Sequence, residues 1–332
     1  MIIARVGMDI AAAKYNVWAI VGTRDARREF NNSPQGISEC WTWLKKTGAT
    51  HFHIVLEPTG RYHELVAESF CRFPNCRVFD PNPKTLKDFA GSLDLRTKTD
   101  WKDAHAMAFY AKERAGEPAY NVKEYQPKTP AQLDLRDLSM RMRSLTKRAS
   151  SLKGQLECGI SSRFVRDSMN EEIVELEAQK DLVLDEAKKV IAADPQLAND
   201  YELLLSIPGI GEKSAVLLLC VVDFRRFKNG RSVACFLGLT PRRHTSGDTI
   251  AVKERISKVG SKEFRSGMYW PAVTAMKHPL FAQFAQRLTD AGKTWSCAKN
   301  AVLRKIVVIA WSLIKSGRKF DANYVSKAVT PI

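Results

Sequence analysis

Ile2-Ile3-Ala4-Arg5-Val6-Gly7-Met8-Asp9 is an apolar run that ends on a carboxylate, and residues 15–21 and 28–31 continue the strand pattern before any helical period begins. Three strands therefore precede the first helix. Ser33-Pro34 then marks a helix start, a capping residue followed by proline in the first turn. Working outward, residues 51–57 form a further strand, 61–73 a helix and 77–80 a short strand. Residues 100–112 follow as a helix with Ala104, Met107, Ala108 and Ala111 on one face. The order βββαβαβα predicts a mixed sheet covered by helices.

That order is the one a ribonuclease H-like α/β domain would have, and we assign it residues 1–120. A proline-bearing stretch at 117–130 marks its end. Leu138, Leu145 and Leu152 recur every seven residues, as do Leu176, Val183 and Val190, predicting two long antiparallel helices. Residues 121–200 are accordingly expected to be a helical coiled-coil connector or dimerisation segment, although an ordinary hairpin packing on its own domain fits equally well. Residues 201–332 should form a mostly α-helical domain, with helices over 212–222, 229–237, 261–276, 279–291 and 295–315.

The 52 Lys and Arg exceed the 36 Asp and Glu, giving +16. The excess is local: +3 over residues 1–120, −1 over 121–200 and +14 over 201–332. Such a surface suits a polyanionic partner through phosphate neutralisation and counterion release. No apolar run reaches the roughly 20 residues of a spanning helix, and residues 1–9 lack a signal-peptide pattern, so a cytoplasmic protein with no membrane partner is expected. The seven cysteines are scattered without C-x-x-C spacing, which predicts thiols rather than structural zinc.

Asp9 and Glu57 each end an apolar strand, so neighbouring strands would bring both carboxylates to one sheet edge. Asp100 and Asp103, three apart at a helix start, share a helical face. Each acid alone is better explained by capping or by the helix dipole. Together they form a set of like charges that needs divalent cations, and hard oxygen ligands favour Mg2+ or Mn2+. A pair of such ions about 4 Å apart can clamp a phosphodiester for in-line displacement. His105 lies beyond the set and is assigned a supporting or structural role.

The turn Ile207-Pro208-Gly209-Ile210-Gly211-Glu212-Lys213 has the form of a helix-hairpin-helix element. Gly209, Gly211 and Lys213 could grip a nucleic-acid backbone, or the glycines could simply let two helices turn tightly. Arg225, Arg226, Lys228 and Arg231 add charge nearby. Further on, Gly238-Leu239-Thr240-Pro241-Arg242-Arg243-His244-Thr245-Ser246-Gly247 places Ser246 in a glycine-bearing loop beside Arg242 and Arg243, with Lys258 following. A serine so flanked could attack a phosphate, but by composition alone most Ser-Gly pairs are turns.

Taken in order, Gly-Met-Asp9-Ile, Leu-Glu57-Pro-Thr-Gly, Lys98-Thr-Asp100-Trp-Lys-Asp103-Ala, Ser206-Ile-Pro-Gly-Ile-Gly211 and Gly238-Leu-Thr-Pro-Arg-Arg243 with Ser246-Gly247 resemble the IS-one-ten family of DEDD insertion-sequence transposases, which includes the Piv invertase. The resemblance spans nearly the whole chain. It implies a RuvC-like domain whose catalytic, metal-holding acids are Asp9, Glu57, Asp100 and Asp103, with Ser246 as nucleophile. It also implies donor and target DNA as substrates, a noncoding bridge RNA as guide, and homodimers assembling into a tetramer. Trp101-Lys102 is a bulkier filling between the aspartates than the resemblance leads one to expect. The rival functions are a RuvC-like Holliday-junction nuclease that does not rejoin strands, and a non-catalytic nucleic-acid-binding protein.

Overall fold

The computed structural model describes residues 1–58, 62–93, 100–117, 120, 122, 124–242, 245–246, 250–251 and 255–323. The chain divides into two compact units, Met1–Pro127 and Lys128–Ile332.

In the first unit β1 (Ile3–Ile10), β2 (Lys14–Val21) and β3 (Arg24–Asn31) form an antiparallel meander. β4 (His51–Leu56) pairs with β1 in parallel, and β5 (Cys76–Phe79) pairs with β4 in parallel. The order β3-β2-β1-β4-β5 puts the first strand at the centre. A short turn can return only an antiparallel neighbour, so the parallel partner on the other side of β1 needs the crossover that α1 (Pro34–Lys45) supplies. The Ser33 hydroxyl caps α1 by accepting from the Gly36 N–H at 3.2 Å.

Strand alternation sorts the two faces of this sheet. Ala4, Val6 and Met8 point to one side, where they pack with Ile37 and Leu44 of α1 and Val66 and Phe70 of α2 (Tyr62–Arg72). Val55 and Phe79 point to the other, against Leu86 and Phe89 of α3 (Pro83–Gly91) and Met107 and Ala111 of α4 (Asp100–Glu113). The element order thus ends in two helices rather than one, α3 being an addition to the expected pattern. Its start carries the same device as α1: Asn82 accepts from the Lys84 N–H at 2.9 Å, and Pro83 occupies the first turn.

The second unit begins with α5 (Pro130–Glu157) and α6 (Arg163–Ala193), an antiparallel pair bridged by Arg141 to Gln179 at 3.0 Å and Arg148 to Glu172 at 3.1 Å. Leu145 and Leu176, both from the seven-residue pattern, meet in a small cluster with Ala149. Leu135, Met142, Leu184, Ala187 and Ile191 instead join the main core of the unit. That core is built by α7 (Pro195–Leu205), α8 (Glu212–Val221), α9 (Gly230–Phe236), α10 (Lys262–Gly267), α11 (Tyr269–Ala275), α12 (Pro279–Asp290) and α13 (Trp295–Ser316). α13 is its axis, with Val302, Ile306, Val307 and Ala310 fully buried.

The helix expected over 261–276 is broken into α10 and α11. Pro271 lacks an N–H and its ring would clash with residue 267, so the helix must restart with the proline in its first turn. A second correction concerns Ser246, expected in a loop. Its backbone lies in β7 (Thr245–Ser246), which pairs with β8 (Ile250–Ala251), Ser246 opposite Ile250. β6 (Pro241–Arg242) and β9 (Arg255–Ile256) pair in the same antiparallel sense. Among the described residues no helix is long and apolar enough to cross a membrane.

Candidate active site

Gly7 decides how the carboxylates are arranged. A Cβ at this position would stand 2.0 Å from the Ala104 carbonyl oxygen and 2.4 Å from the Ala108 nitrogen, so α4 crosses β1 in backbone contact. Asp9, two residues on, points to the same face as Gly7 and so to the side of α4. At the other end of the strand the Arg5 guanidinium donates to the carbonyls of Ala111 and Ala115 at 3.4 and 3.2 Å. α4 therefore runs antiparallel to β1, and its N-terminal turn lies over the Asp9 end.

That turn carries Asp100 and Asp103. With Ala104, Met107, Ala108 and Ala111 they form one stripe at helical spacing, the stripe that meets the sheet. Glu57 directly follows Leu56, which is paired with Met8, so it comes abreast of Asp9 on the neighbouring strand. Val55 faces α4 and Glu57 shares its parity. The four acids are thus brought to one sheet edge and one helix terminus. Asp9, Glu57 and Asp103 are half-buried, and Asp100 is exposed.

Among the described residues no group of three or more His, Cys, Asp or Glu side chains is placed to hold a metal ion. The edge gathers the acids without drawing them into a coordination sphere. Like charges repel, so closing the set requires a cation. The donor chemistry fits a hard divalent ion. Directly across from Asp9 in the β1–β2 register stands Asn16, whose buried Oδ1 has no hydrogen-bond partner among the described residues. It is a further hard oxygen on the same sheet face. Asn16 could have been noticed in the sequence as a polar residue inside a strand whose alternate positions Tyr15 and Val17 are core.

Trp101 acquires a definite job. The Arg27 guanidinium carbon lies 5.2 Å from the Trp101 ring centre and 5.4 Å from that of Trp18, tying the first turn of α4 to β2 and β3. His105 extends the stack at 4.5 Å from Trp18 and 4.8 Å from Phe109, and burial lowers its pKa. It serves packing.

In the second unit Gly209 has φ +88°, and a Cβ there would meet the Pro271 carbonyl and the Ala275 nitrogen, each at 2.6 Å. Its missing side chain admits α11. The Gly211 N–H donates to Ser214 Oγ at 3.0 Å, and Lys213 pairs with Asp181 at 3.3 Å. Arg225 forms a two-pronged ion pair with buried Asp200, one contact at 2.8 Å, and that carboxylate raises its pKa. Arg226, Lys228, Arg231 and Lys258 are exposed. Arg243 and Gly247 lie outside the described residues.

The ribbon bearing Ser246 is anchored by a clasp that the sequence did not disclose. The Ser257 N–H donates to the Thr240 carbonyl at 2.8 Å, and the Lys258 N–H to the Gly238 carbonyl at 3.1 Å. Arg265 donates to the carbonyls of Leu237 and Gly260 at 3.2 and 3.1 Å. Gly238 has φ +71°, and Gly260, at φ +143°, approaches the Phe236 carbonyl so closely that a Cβ would stand 2.3 Å from it. Two glycines of the motif thus serve interlocking loops, and Lys258, itself at φ +55°, is held facing solvent.

A sheet edge with four acids, in a chain that also carries an anchored serine ribbon and a basic helical unit, defines a nucleic-acid-processing enzyme. Residues 6–163 match the model of a DEDD transposase of the IS110 type, and residues 201–286 that of the IS116/IS110/IS902 transposase family. The chain is 30% identical to the pilin gene-inverting protein of Moraxella bovis and 31% identical to that of Moraxella lacunata, in each case over 95% of this chain and 97% of the relative. It is also 27% identical to the transposase for insertion sequence element IS1111A of Coxiella burnetii, over 41% of this chain and 38% of that one. The chain belongs to the IS110 family of transposases and DNA-inverting recombinases, enzymes of DNA strand cleavage and transfer. A DEDD-type domain implies a RuvC-like fold and a divalent metal.

Proposed function

We propose that this chain is an insertion-sequence recombinase that cuts and rejoins DNA through a covalent phosphoserine at Ser246, with Mg2+ held by Asp9, Glu57, Asp100 and Asp103. The α4–β1 backbone contact at Gly7, which lays the helix turn bearing Asp100 and Asp103 over the Asp9 end of β1, is the observation that supports this function most. A bound divalent ion would neutralise the acid set and stabilise charge on the phosphate under attack. Ser246 Oγ forms a bond to phosphorus as the bond from phosphorus to the leaving sugar oxygen breaks. The serine loses a proton and the leaving oxygen gains one. Attack by the hydroxyl of a new strand reverses the step, so the bond energy is kept and no external energy source is needed. The Trp101–Arg27–Trp18 stack holds the first turn of α4, and with it Asp100 and Asp103, in place, and Asn16 offers a further oxygen toward the ion.

Donor and target DNA are bound by the basic second unit, Lys228, Arg231 and Lys258 contacting backbone phosphates. A noncoding bridge RNA selects the two sites, and homodimers assemble into a tetramer that pairs them. Incubated with DNA and Mg2+, the wild type should give a protein–DNA species stable to denaturant and destroyed by protease, and Ser246→Ala should bind DNA but form none. Normal recombination by Ser246→Ala would overturn the serine step and leave a RuvC-like nuclease. Sequencing of RNA that copurifies with the chain tests the guide.

A further inference from the structure

Seven tryptophans occur in the chain, and five of them, Trp18, Trp41, Trp43, Trp101 and Trp311, are half-buried. Trp270 and Trp295 are different, 71% and 48% exposed, although the unit they belong to has a large core available. They flank Tyr269, itself 37% exposed, with ring centres 5.3 Å (Trp270) and 6.4 Å (Trp295) from it. The rings meet at 87° and 57°, so neither indole has a parallel Tyr269 ring stacked on it. Lys299, one helical turn after Trp295, is buried against this group with its Nζ 4.1 Å from the Tyr269 ring centre, and burial lowers its pKa.

Contiguous exposed aromatics mark a binding surface. Charge decides its occupant. Residues 261–316 carry nine Lys and Arg against two acids, Glu263 and Asp290, so an anionic chain is attracted and a basic protein face is repelled. An anionic chain that presents flat apolar rings is a nucleic acid with unpaired bases, since the faces of paired bases are already stacked within the duplex. We propose that Tyr269, Trp270 and Trp295 form a stacking platform for unpaired bases of a single-stranded nucleic-acid segment, with Lys299 supplying a cation beneath it. The platform uses no residue of the acid set or of the serine ribbon. It rests on the reading of the chain as a nucleic-acid enzyme and adds to it a preference for strand state.

The test is a fluorescence titration of the full-length chain with oligo(dT), oligo(U) and a DNA duplex of the same length. The single strands should quench tryptophan emission. Trp270→Ala combined with Trp295→Ala should weaken single-strand binding about tenfold or more, in line with about 1–3 kcal/mol per stacked base, and leave duplex binding unchanged. The corresponding Phe variants should bind nearly as the wild type does, and comparison of oligo(dT) with oligo(U) tells whether the segment is DNA or RNA. Equal single-strand binding by the Ala variant overturns the platform, as does an equal loss for single strands and duplex. Loss of self-association in the Ala variant without loss of strand binding also overturns it, showing the face to be a contact between copies. A wild type that binds duplex but not single strands refutes the platform alone, whereas a wild type that binds neither refutes the proposed function as well.

Discussion

The two ends of β1 meet the two ends of α4, and their chemistry is opposite. At the Arg5 end a guanidinium points at the Ala111 carbonyl in the last turn of α4, where the helix dipole is negative, and at the Ala115 carbonyl just beyond it, and contacts His53 Nδ1 on β4. Burial first, and the Arg5 cation second, lower the His53 pKa to about 4, so the ring is neutral at physiological pH. That end is electrically settled. At the Asp9 end carboxylates meet the positive helix terminus, the favourable sense again, but a terminus worth about half a unit charge cannot balance four acids. One helix thus organises both ends, and the surplus negative charge at one of them is the place for a cation.

The largest effect should come from destroying the contact that both ends share. Gly7→Val would press a branched side chain into the α4 backbone, and we expect a loss of about 3 kcal/mol in denaturant unfolding. An unchanged midpoint would mean that α4 does not seat on β1 as described. A second variant, His53→Gln, separates the ends by pH. Because the folded pKa lies below the ordinary value of 6.5, the unfolded chain takes up the proton first as pH falls. The wild type should keep its full stability above about pH 6.5 and lose on the order of 3 kcal/mol on the way to pH 4. His53→Gln should flatten that slope, and a wild-type slope retained by the variant would remove His53 as its source.

Asp9→Asn sharpens the comparison from the other side. Without metal it should be as stable as the wild type or slightly more so, because one repelling charge is gone. With Mg2+ the wild type should melt higher, and the variant should gain little and cleave no DNA. An equal Mg2+-induced rise in both would dissociate the acid set from the ion. Trp101→Ala should have the smallest effect, about 0.5–1 kcal/mol from the lost Arg27 contact, read as a small drop in melting temperature. No drop at all would show that the stack does not secure the first turn of α4.

Much of the first unit was legible because strand and helix periods differ and because cap–proline pairs announce helix starts. The edge position of Asp9 and Glu57 followed from their place at strand ends. α3 was missed although Asn82-Pro83 repeats the signal of Ser33-Pro34, since Pro81 beside it reads as loop. Asn16 left a trace as a polar residue between core positions, but its place opposite Asp9 and the Arg27 stack were not readable, because they depend on which residues the register sets opposite one another. Gly209 shows the converse difficulty: the same glycine serves a phosphate grip or a close helix crossing, and only its distance to α11 distinguishes them.

The clasp at Gly238 and Gly260 has a thermodynamic consequence for the twelve residues between Arg242 and Arg255. Their two ends are joined by the β6–β9 pairing and by the Ser257 and Lys258 hydrogen bonds, independently of anything bound. The cost of loop closure is therefore met during folding. Lengthening the segment would change that cost only logarithmically, so the ribbon around Ser246 can vary in size and in what it contacts while its base stays fixed.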